Sequence, residues 1–148
     1  MNGCNGHMGQ VISELIREDE KATIVAGIDV MDNRDNGYPV FTNIFDCDVE
    51  ADVMIDFSSY KATDNVLLYC GQKKLPLVLC TTGLTPEQLD KLQETSKEVA
   101  VLRSANMSLG INTLMKLIQD AAKVLATAGF GMEIVEKHHK LKCDAPSG

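Results

Sequence analysis

The stretch that decides the fold is "GCNGHMG", residues 3–9, at the start of the chain. Glycines at positions 3, 6 and 9 allow a tight turn and a close approach of backbone to a ligand, and a helix is predicted directly after them over 10–18. Asp29 lies 20 residues after Gly9, at the end of the apolar run 22–29. Turn, helix, strand and acid in this order predict a dinucleotide site in which the carboxylate binds a ribose. A plain tight turn is the alternative interpretation of the glycines.

The rest of the chain alternates short apolar runs with segments of helical period. Strands are predicted over 51–58, 75–83, 99–106 and 131–139, and helices over 60–72, 84–98 and 110–129. Residues 30–48 are predicted as a long loop with at most a short strand. This alternation predicts an α/β fold, a Rossmann-type parallel sheet with helices on both faces. Because ligands bind where parallel strands end, the candidate positions are residues 3–9, Asp29, 80–83 and 104–107.

The strand that should precede the glycine turn is missing from the sequence. Only Met1 and Asn2 stand before Gly3, whereas a strand takes about five residues. We therefore expect either that the first strand has been lost or that the sequence is incomplete.

Composition limits the classes of partner. The chain has 148 residues, 45% of them hydrophobic, and a net charge of -7, which suits a globular domain and disfavours nucleic acids and anionic membranes as partners. The cysteines are scattered without a C-x-x-C pair, which favours reduced thiols over disulfides or structural zinc. The chain has neither an apolar run of membrane-spanning length nor the apolar core of a signal peptide, so we expect a cytoplasmic protein.

The last thirteen residues, "EKHHKLKCDAPSG" (136–148), are the densest in groups that transfer protons or bind anions. A metal site is possible by residue type, but His138 and His139 are adjacent on a predicted strand and would point to opposite faces. The other two candidate ligands of that site are Cys143 and Asp144. A Cys143–His nucleophile pair has nothing to identify an orienting third group. A solvated basic loop is the remaining alternative.

Three stretches together resemble the dihydrodipicolinate reductase (4-hydroxy-tetrahydrodipicolinate reductase) family, the nicotinamide-dependent enzymes of lysine and diaminopimelate synthesis. They are "GCNGHMGQ" (3–10), "CTTGLT" (80–85) and "EKHHKLKCDAPSG" (136–148). The last is similar to the family signature H-H-x-x-K-x-D-A-P-S-G at every fixed position. "SANMSLGIN" (104–112) resembles the segment that joins the two domains of the family.

The resemblance implies a dinucleotide-binding domain over 1–107 and the start of an α+β substrate domain over 108–148. It implies reduction of dihydrodipicolinate to tetrahydrodipicolinate, with His138 as acid/base and Lys142 as donor to the substrate nitrogen. On the substrate side it also implies His139 as a carboxylate ligand and the backbone of Ser147 and Gly148 as the beginning of an anion pocket. On the cofactor side it matches Gly6, His7, Met8, Gly9 and Asp29, then Thr81, Thr82, Gly83, Ser104, Ala105, Asn106 and Met107.

The expected cofactor is NADH or NADPH, with NADH favoured because the Asp29 carboxylate repels a 2′-phosphate. Arg34, five positions on, could accept that phosphate. The resemblance further implies a small dicarboxylate substrate and a homotetramer. Members of the family are longer than this chain, so the alternative is a truncated, non-catalytic nucleotide-binding module or a fragment inactive by itself.

Overall fold

The computed structural model describes residues 1–135 and Lys137. The chain divides into two compact units, Met1–Ser104 and Ala105–Gly148. The helices of the first unit are α1 (His7–Arg17), α2 (Thr63–Lys73) and α3 (Pro86–Thr95). Its strands are β1 (Gly27–Ile28), β2 (Val40–Phe41), β3 (Met54–Asp56), β4 (Leu77–Leu79) and β5 (Val101–Arg103). The second unit contains α4 (Leu109–Thr127).

The strands pair in parallel throughout. β1 pairs with β2, β3 with β4, and β4 with β5. Asn2 connects the two groups through isolated parallel bridges to Ile28 and Asp56. The order across the sheet is therefore β2, β1, Asn2, β3, β4, β5. The predicted Rossmann-like α/β fold is confirmed.

Met1 and Asn2 stand where the two halves of the sheet meet. The Asn2 amide donates to Ile55 O over 2.9 Å, and the Ile28 amide donates to Met1 O over 2.9 Å. From this point the sheet extends to β1 and β2 on one side and to β3, β4 and β5 on the other. In parallel sheets such a reversal opens a crevice at the carboxyl ends of the strands. The glycine turn begins at Gly3, directly above it.

The strands are shorter than the apolar runs that predicted them. The run 22–29 forms a strand only over Gly27–Ile28, which pairs with the two residues of β2. A β-ladder ends where its partner ends, whatever the apolar run allows. The short strand allowed within 30–48 is β2.

The core lies beneath α2 and α3. Leu77 and Leu79 of β4 are buried, and Val66 of α2 is fully buried against them. The cluster also contains Ile28, Ile44, Met54, Leu67, Tyr69, Cys70, Leu75 and Leu92. Burial of these side chains fixes the positions of the strand ends at which the polar residues gather.

The second unit begins its helix with a cap that the sequence supplies. The Ser108 hydroxyl accepts a hydrogen bond from the Ile111 amide over 3.4 Å. A strand was predicted over 131–139, but residues 131–135 have no regular secondary structure. In the part of the chain that the structure describes, no helix is both long enough and apolar enough to cross a membrane.

Candidate functional site

The glycine turn is built so that side chains would not fit. Gly3 has a φ of +75°, and a Cβ on it would lie 2.7 Å from Phe57 O. A Cβ on Gly9 would lie 2.2 Å from Gly3 O, so α1 packs directly against the turn. The Gly6 amide donates to Gly3 O over 3.1 Å and closes the turn. Glycine is therefore required at positions 3 and 9, because a Cβ at either position would force the turn to change shape.

Helix α1 points its N-terminus at the turn without a side-chain cap. Gly6 is the capping residue, and no side chain accepts a hydrogen bond from the first turn of the helix, which also has no acidic residue. Backbone amides in the first turn of a helix have no partner within the helix and bear partial positive charge. This end of α1 is therefore suited to an anion such as a pyrophosphate.

Asp29 follows β1 and is bonded to the glycine turn. Its Oδ2 accepts from the Asn5 amide over 2.8 Å, and its Oδ1 accepts from the Val30 amide over 2.8 Å. Each oxygen keeps a lone pair for a further donor. Burial, followed by the charge of Asp29, raises the pKa of the neighbouring Cys4 thiol. The thiol therefore stays protonated beside the carboxylate.

A network of side-chain amides ties the 30–37 loop to the same turn. Asn5 Nδ2 donates to Met31 O over 2.5 Å, and Asn36 Nδ2 donates to Asn5 Oδ1 over 2.9 Å. Gln10 Nε2 donates both to Asn36 Oδ1 and to Cys4 O, each over 2.8 Å. The loop that carries Arg34 is thus held beside the glycine turn.

These segments enclose a cavity of about 620 Å³ at the point where the strand order reverses. Its walls come from the glycine turn, from the residues after β1, and from the residues after β3. Both Asp29 and Arg34 line it, and so do Asn5, Gly6, Phe57, Ser58, Ser59 and Asn65. A carboxylate and a guanidinium in one cavity can bind hydroxyl groups and anions respectively.

The segment after β4 is tied to the end of β3. The Cys80 amide donates to Asp56 O over 2.9 Å, and Thr81 Oγ1 donates to Asp56 Oδ2 over 2.6 Å. Burial, with a smaller contribution from the charge of Asp56, raises the pKa of the Cys80 thiol to about 11. Gly83 is exposed with a φ of +75°, so the segment turns back towards solvent before α3.

The predicted site residues fall into five groups. Gly6 and Asp29 line the cavity, whereas His7, Met8 and Gly9 belong to α1, with Gly9 buried. Thr81, Thr82 and Gly83 follow β4, and the amide of Ser104, after β5, donates to Leu79 O over 3.1 Å. Ala105, Asn106 and Met107 belong to the second unit. His138, His139, Lys142, Ser147 and Gly148 lie outside the described residues, as do Cys143 and Asp144 of the alternative metal site.

One part of the cavity wall was not predicted from the sequence. Asn5 lies within the candidate stretch 3–9, although no role was assigned to its side chain. Phe57 and Ser58 directly follow β3, so the rule that selects the carboxyl ends of strands would have identified them.

Comparison with known proteins gives a consistent family match. The family described as "Dihydrodipicolinate reductase, N-terminus" matches residues 1–107, and "Dihydrodipicolinate reductase, C-terminus" matches residues 110–148. A 4-hydroxy-tetrahydrodipicolinate reductase of Clostridium novyi is 49% identical over the whole chain. That of Caldanaerobacter subterraneus subsp. tengcongensis is 47% identical. The chain spans 58% of the length of each of these two relatives.

Solved structures agree with the sequence matches. A dipicolinate-bound dihydrodipicolinate reductase from Paenisporosarcina sp. TG-14 superposes with a TM-score of 0.79 at 28% identity, over 99% of this chain and 60% of that one. A myo-inositol 2-dehydrogenase from Lactobacillus plantarum gives a TM-score of 0.62 at 15% identity, over 83% of this chain and 40% of that one. The second likeness shows the fold alone.

Proposed function

The chain belongs to the dihydrodipicolinate reductase family, and from this premise we propose that it serves NADH- or NADPH-dependent reduction of 4-hydroxy-tetrahydrodipicolinate. In this proposal residues 1–107 bind the nucleotide and residues 108–148 begin the substrate-binding domain. The product is tetrahydrodipicolinate, an intermediate of lysine and diaminopimelate synthesis.

The observation that carries the nucleotide part is the bond between Asp29 and the glycine turn. It holds a carboxylate in the cavity beside the uncapped N-terminus of α1. A dinucleotide needs both features, an anion site for the pyrophosphate and an acceptor for ribose hydroxyl groups. The residues present therefore fit the cofactor.

The substrate part rests on the family match and on the chemistry of the closing segment. The nicotinamide would supply a hydride when bound. His138 and Lys142 are proposed to deliver the proton that the substrate nitrogen needs, because an imidazole titrates near neutral pH and a lysine ammonium begins charged. His139, with the backbone of Ser147 and Gly148, is proposed to bind the substrate carboxylates.

We propose NADH as the preferred or at least an accepted cofactor. The carboxylate of Asp29 repels a 2′-phosphate, whereas Arg34 in the same cavity attracts it. Asp29 is fixed by two backbone amides, and Arg34 lies on an exposed loop. Ordering the long, exposed side chain of Arg34 on a ligand costs conformational entropy, whereas the Asp29 carboxylate is already held in place, which supports NADH.

The proposed substrate class, assembly and compartment also follow from membership of the family. The substrate is a small dicarboxylate, the assembly is a homotetramer, and the compartment is the cytoplasm. The four cysteines that the structure describes, Cys4, Cys47, Cys70 and Cys80, are buried and free, as suits a reducing compartment.

The experiment has a binding arm and a turnover arm. Titration of this chain with NADH and with NADPH, followed by nicotinamide fluorescence, tests the nucleotide site. Turnover is measured on an enzyme that contains this chain and extends over the full length of its relatives. We expect His138→Ala and Lys142→Ala each to reduce kcat by about 100-fold or more.

Lys140→Ala is the matched control for the turnover arm. Lys140 carries the same charge in the same segment but occupies a variable position of the signature, so its loss should leave kcat within about threefold. Near-normal turnover in both the His138 and Lys142 variants would contradict the catalytic assignment. Tenfold tighter binding of NADPH than of NADH would refute the cofactor preference.

A further inference from the structure

Asp56 is the only charged side chain that is buried among the described residues, with 0% of its surface exposed. It accepts four hydrogen bonds. Oδ1 accepts from Asn2 Nδ2 over 2.7 Å, from Ser58 Oγ over 2.6 Å and from the Ser58 amide over 3.3 Å. Oδ2 accepts from Thr81 Oγ1 over 2.6 Å. Asp56 does not line the cavity described above.

The three partners of Asp56 belong to three different parts of the site. Asn2 directly precedes the glycine turn, and its own amide and carbonyl are bonded to Ile55 O and the Phe57 amide. Ser58 lines the cavity. Thr81 lies in the segment after β4. One carboxylate therefore fixes the two halves of the sheet and the segment after β4 at the carboxyl edge where they meet.

The bonds also fix the direction of two hydroxyl protons. A carboxylate only accepts hydrogen bonds, so Ser58 and Thr81 must both turn their protons towards Asp56. Ser58 Oγ additionally accepts from Asn2 Nδ2 over 3.1 Å. Ser58 can therefore offer the cavity a lone pair but no proton, so it suits a donor such as a ribose hydroxyl and disfavours a phosphate oxygen.

Stability alone is a weak reason for this arrangement. Removing a carboxylate from water costs several kcal/mol, and an apolar residue of similar size avoids that cost. What an apolar residue would not do is hold Asn2, Ser58 and Thr81 in one orientation. The buried charge therefore specifies geometry at the strand ends.

We propose that Asp56 is a positioning residue for nucleotide binding, which it supports through Asn2, Ser58 and Thr81 without contacting the ligand. The inference rests on the proposed function, since the ligand is the nucleotide of the proposed reductase. It adds a residue that lies beneath the cavity rather than in its wall.

The experiment compares near-isosteric variants. Asp56→Asn keeps the volume, but its NH₂ group would face Thr81 and force that hydroxyl to accept instead of donate. Thr81→Val removes the same bond from the other side. We expect each single variant to raise the Kd for NADH at least tenfold. Because both substitutions remove the same hydrogen bond, the double variant should bind NADH no more weakly than the weaker-binding single variant. Thr81→Ser, which retains the hydroxyl, should recover most of the affinity that Thr81→Val loses.

Thr63→Val is the matched control. Thr63 is fully buried in α2, and its hydroxyl has no hydrogen-bond partner among the described residues. The same chemical change there should leave the Kd for NADH within twofold and should not reduce Tm. Unchanged Kd values in Asp56→Asn and Thr81→Val, with only a lower Tm, would overturn the proposal and leave Asp56 a structural residue. If Asp56→Asn does not fold, the Thr81→Val and Thr81→Ser pair decides.

Hydrogen exchange without nucleotide separates this proposal from the proposed function. If the unaltered protein binds neither NADH nor NADPH, the nucleotide function fails, yet the role of Asp56 is still measured. Faster exchange in Asp56→Asn at the amides of both 3–6 and 81–83 supports positioning. Unchanged exchange in both segments contradicts it.

Discussion

Asp29 and Asn5 are joined by a 2.8 Å hydrogen bond from a backbone amide to a carboxylate oxygen. The bond fixes the glycine turn to the end of β1, 24 residues further along the chain. It also orients the carboxylate, whose second oxygen is held by the Val30 amide. The same side chain thus shapes the turn through its hydrogen bonds and presents its charge to the cavity.

The first prediction concerns cofactor choice. Asp29→Asn removes the charge but keeps an oxygen that can accept from Asn5, so the turn should persist. Loss of repulsion towards a 2′-phosphate should shift the ratio of the Kd for NADPH to the Kd for NADH towards NADPH by about tenfold. The ratio is measured by paired fluorescence titrations.

Asp32→Asn provides the control for this shift. It makes the same change of charge in the same loop, but Asp32 does not line the cavity, so the ratio should stay constant. A ratio that moves equally in both variants would show that net charge, and not the Asp29 contact, sets the preference.

The second prediction concerns the close packing of α1 on the glycine turn. Gly9→Ala would place a Cβ 2.2 Å from Gly3 O and 2.7 Å from Cys4 O, so the turn must open. We expect a loss of about 2 kcal/mol in the free energy of unfolding and loss of nucleotide binding. Urea unfolding and NADH titration measure the two effects.

Gly71→Ala is the counterpart in α2. A Cβ on Gly71 meets nothing within 4 Å, and alanine is favoured over glycine in a helix by roughly 0.5–1 kcal/mol. This variant should therefore be more stable than the unaltered protein and should bind nucleotide normally. Equal destabilisation at both positions would contradict the packing argument.

The third prediction concerns thiols and alkaline pH. Burial, followed by the charge of Asp56, raises the pKa of Cys70 to about 12 and of Cys80 to about 11, from 9.0. At pH 8 these thiols should be protonated and react far more slowly with iodoacetamide than they do in urea. Peptide mass mapping locates the modified cysteines, and rapid labelling of Cys70 in the folded protein would disprove the assignment.

The same shifts predict how stability changes with pH. Above pH 9 the unfolded chain releases the protons of these thiols, whereas the folded chain keeps them until about pH 11–12. The folded state then binds more protons than the unfolded state, so its stability is complete below pH 9 and falls as pH rises. The slope is roughly 1 kcal/mol per pH unit for each thiol. Urea unfolding at several pH values between 8 and 11 measures it.

The fourth prediction concerns the start of α3. Thr85 Oγ1 accepts from the Gln88 amide over 3.3 Å, and Gln88 Oε1 accepts from the Thr85 amide over 3.1 Å. Thr85→Ala should reduce the free energy of unfolding by about 1 kcal/mol. Thr95→Ala makes the same change near the other end of the helix, where the hydroxyl donates only to Lys91 O, and should cost less than about 0.5 kcal/mol. Similar losses at both positions would argue against the cap.

The sequence predicted best what depends on neighbouring residues. The helix predicted over 84–98 contains α3, whose capping box at Thr85 and proline at the first helical position occupy four consecutive residues. Asp29 does follow β1, as its spacing from the glycines predicted. By contrast, the length of β1 matches that of its partner β2, which an apolar run cannot report. The closing segment with His138 and Lys142 remains a prediction.

The role of Asp56 could not be predicted from the sequence for the same physical reason. Within the run 51–58 the residue appears as one polar position in a buried strand. Its partners Asn2 and Thr81 lie 54 and 25 positions away, and only the pairing of β3 with its neighbours brings them together. A local pattern carries no information on contacts of that range.

The hydrogen bonds of Asp56 also bear on the order of folding events during synthesis of the chain. At roughly 5–20 residues per second of synthesis, the glycine turn is made roughly 4–16 seconds before Thr81. Until Thr81 is made, Asp56 lacks the hydroxyl that donates to its Oδ2, so we expect the turn to stay open. Nucleotide capture should thus be among the last events of folding, and chains stalled before and after residue 81 should differ in it.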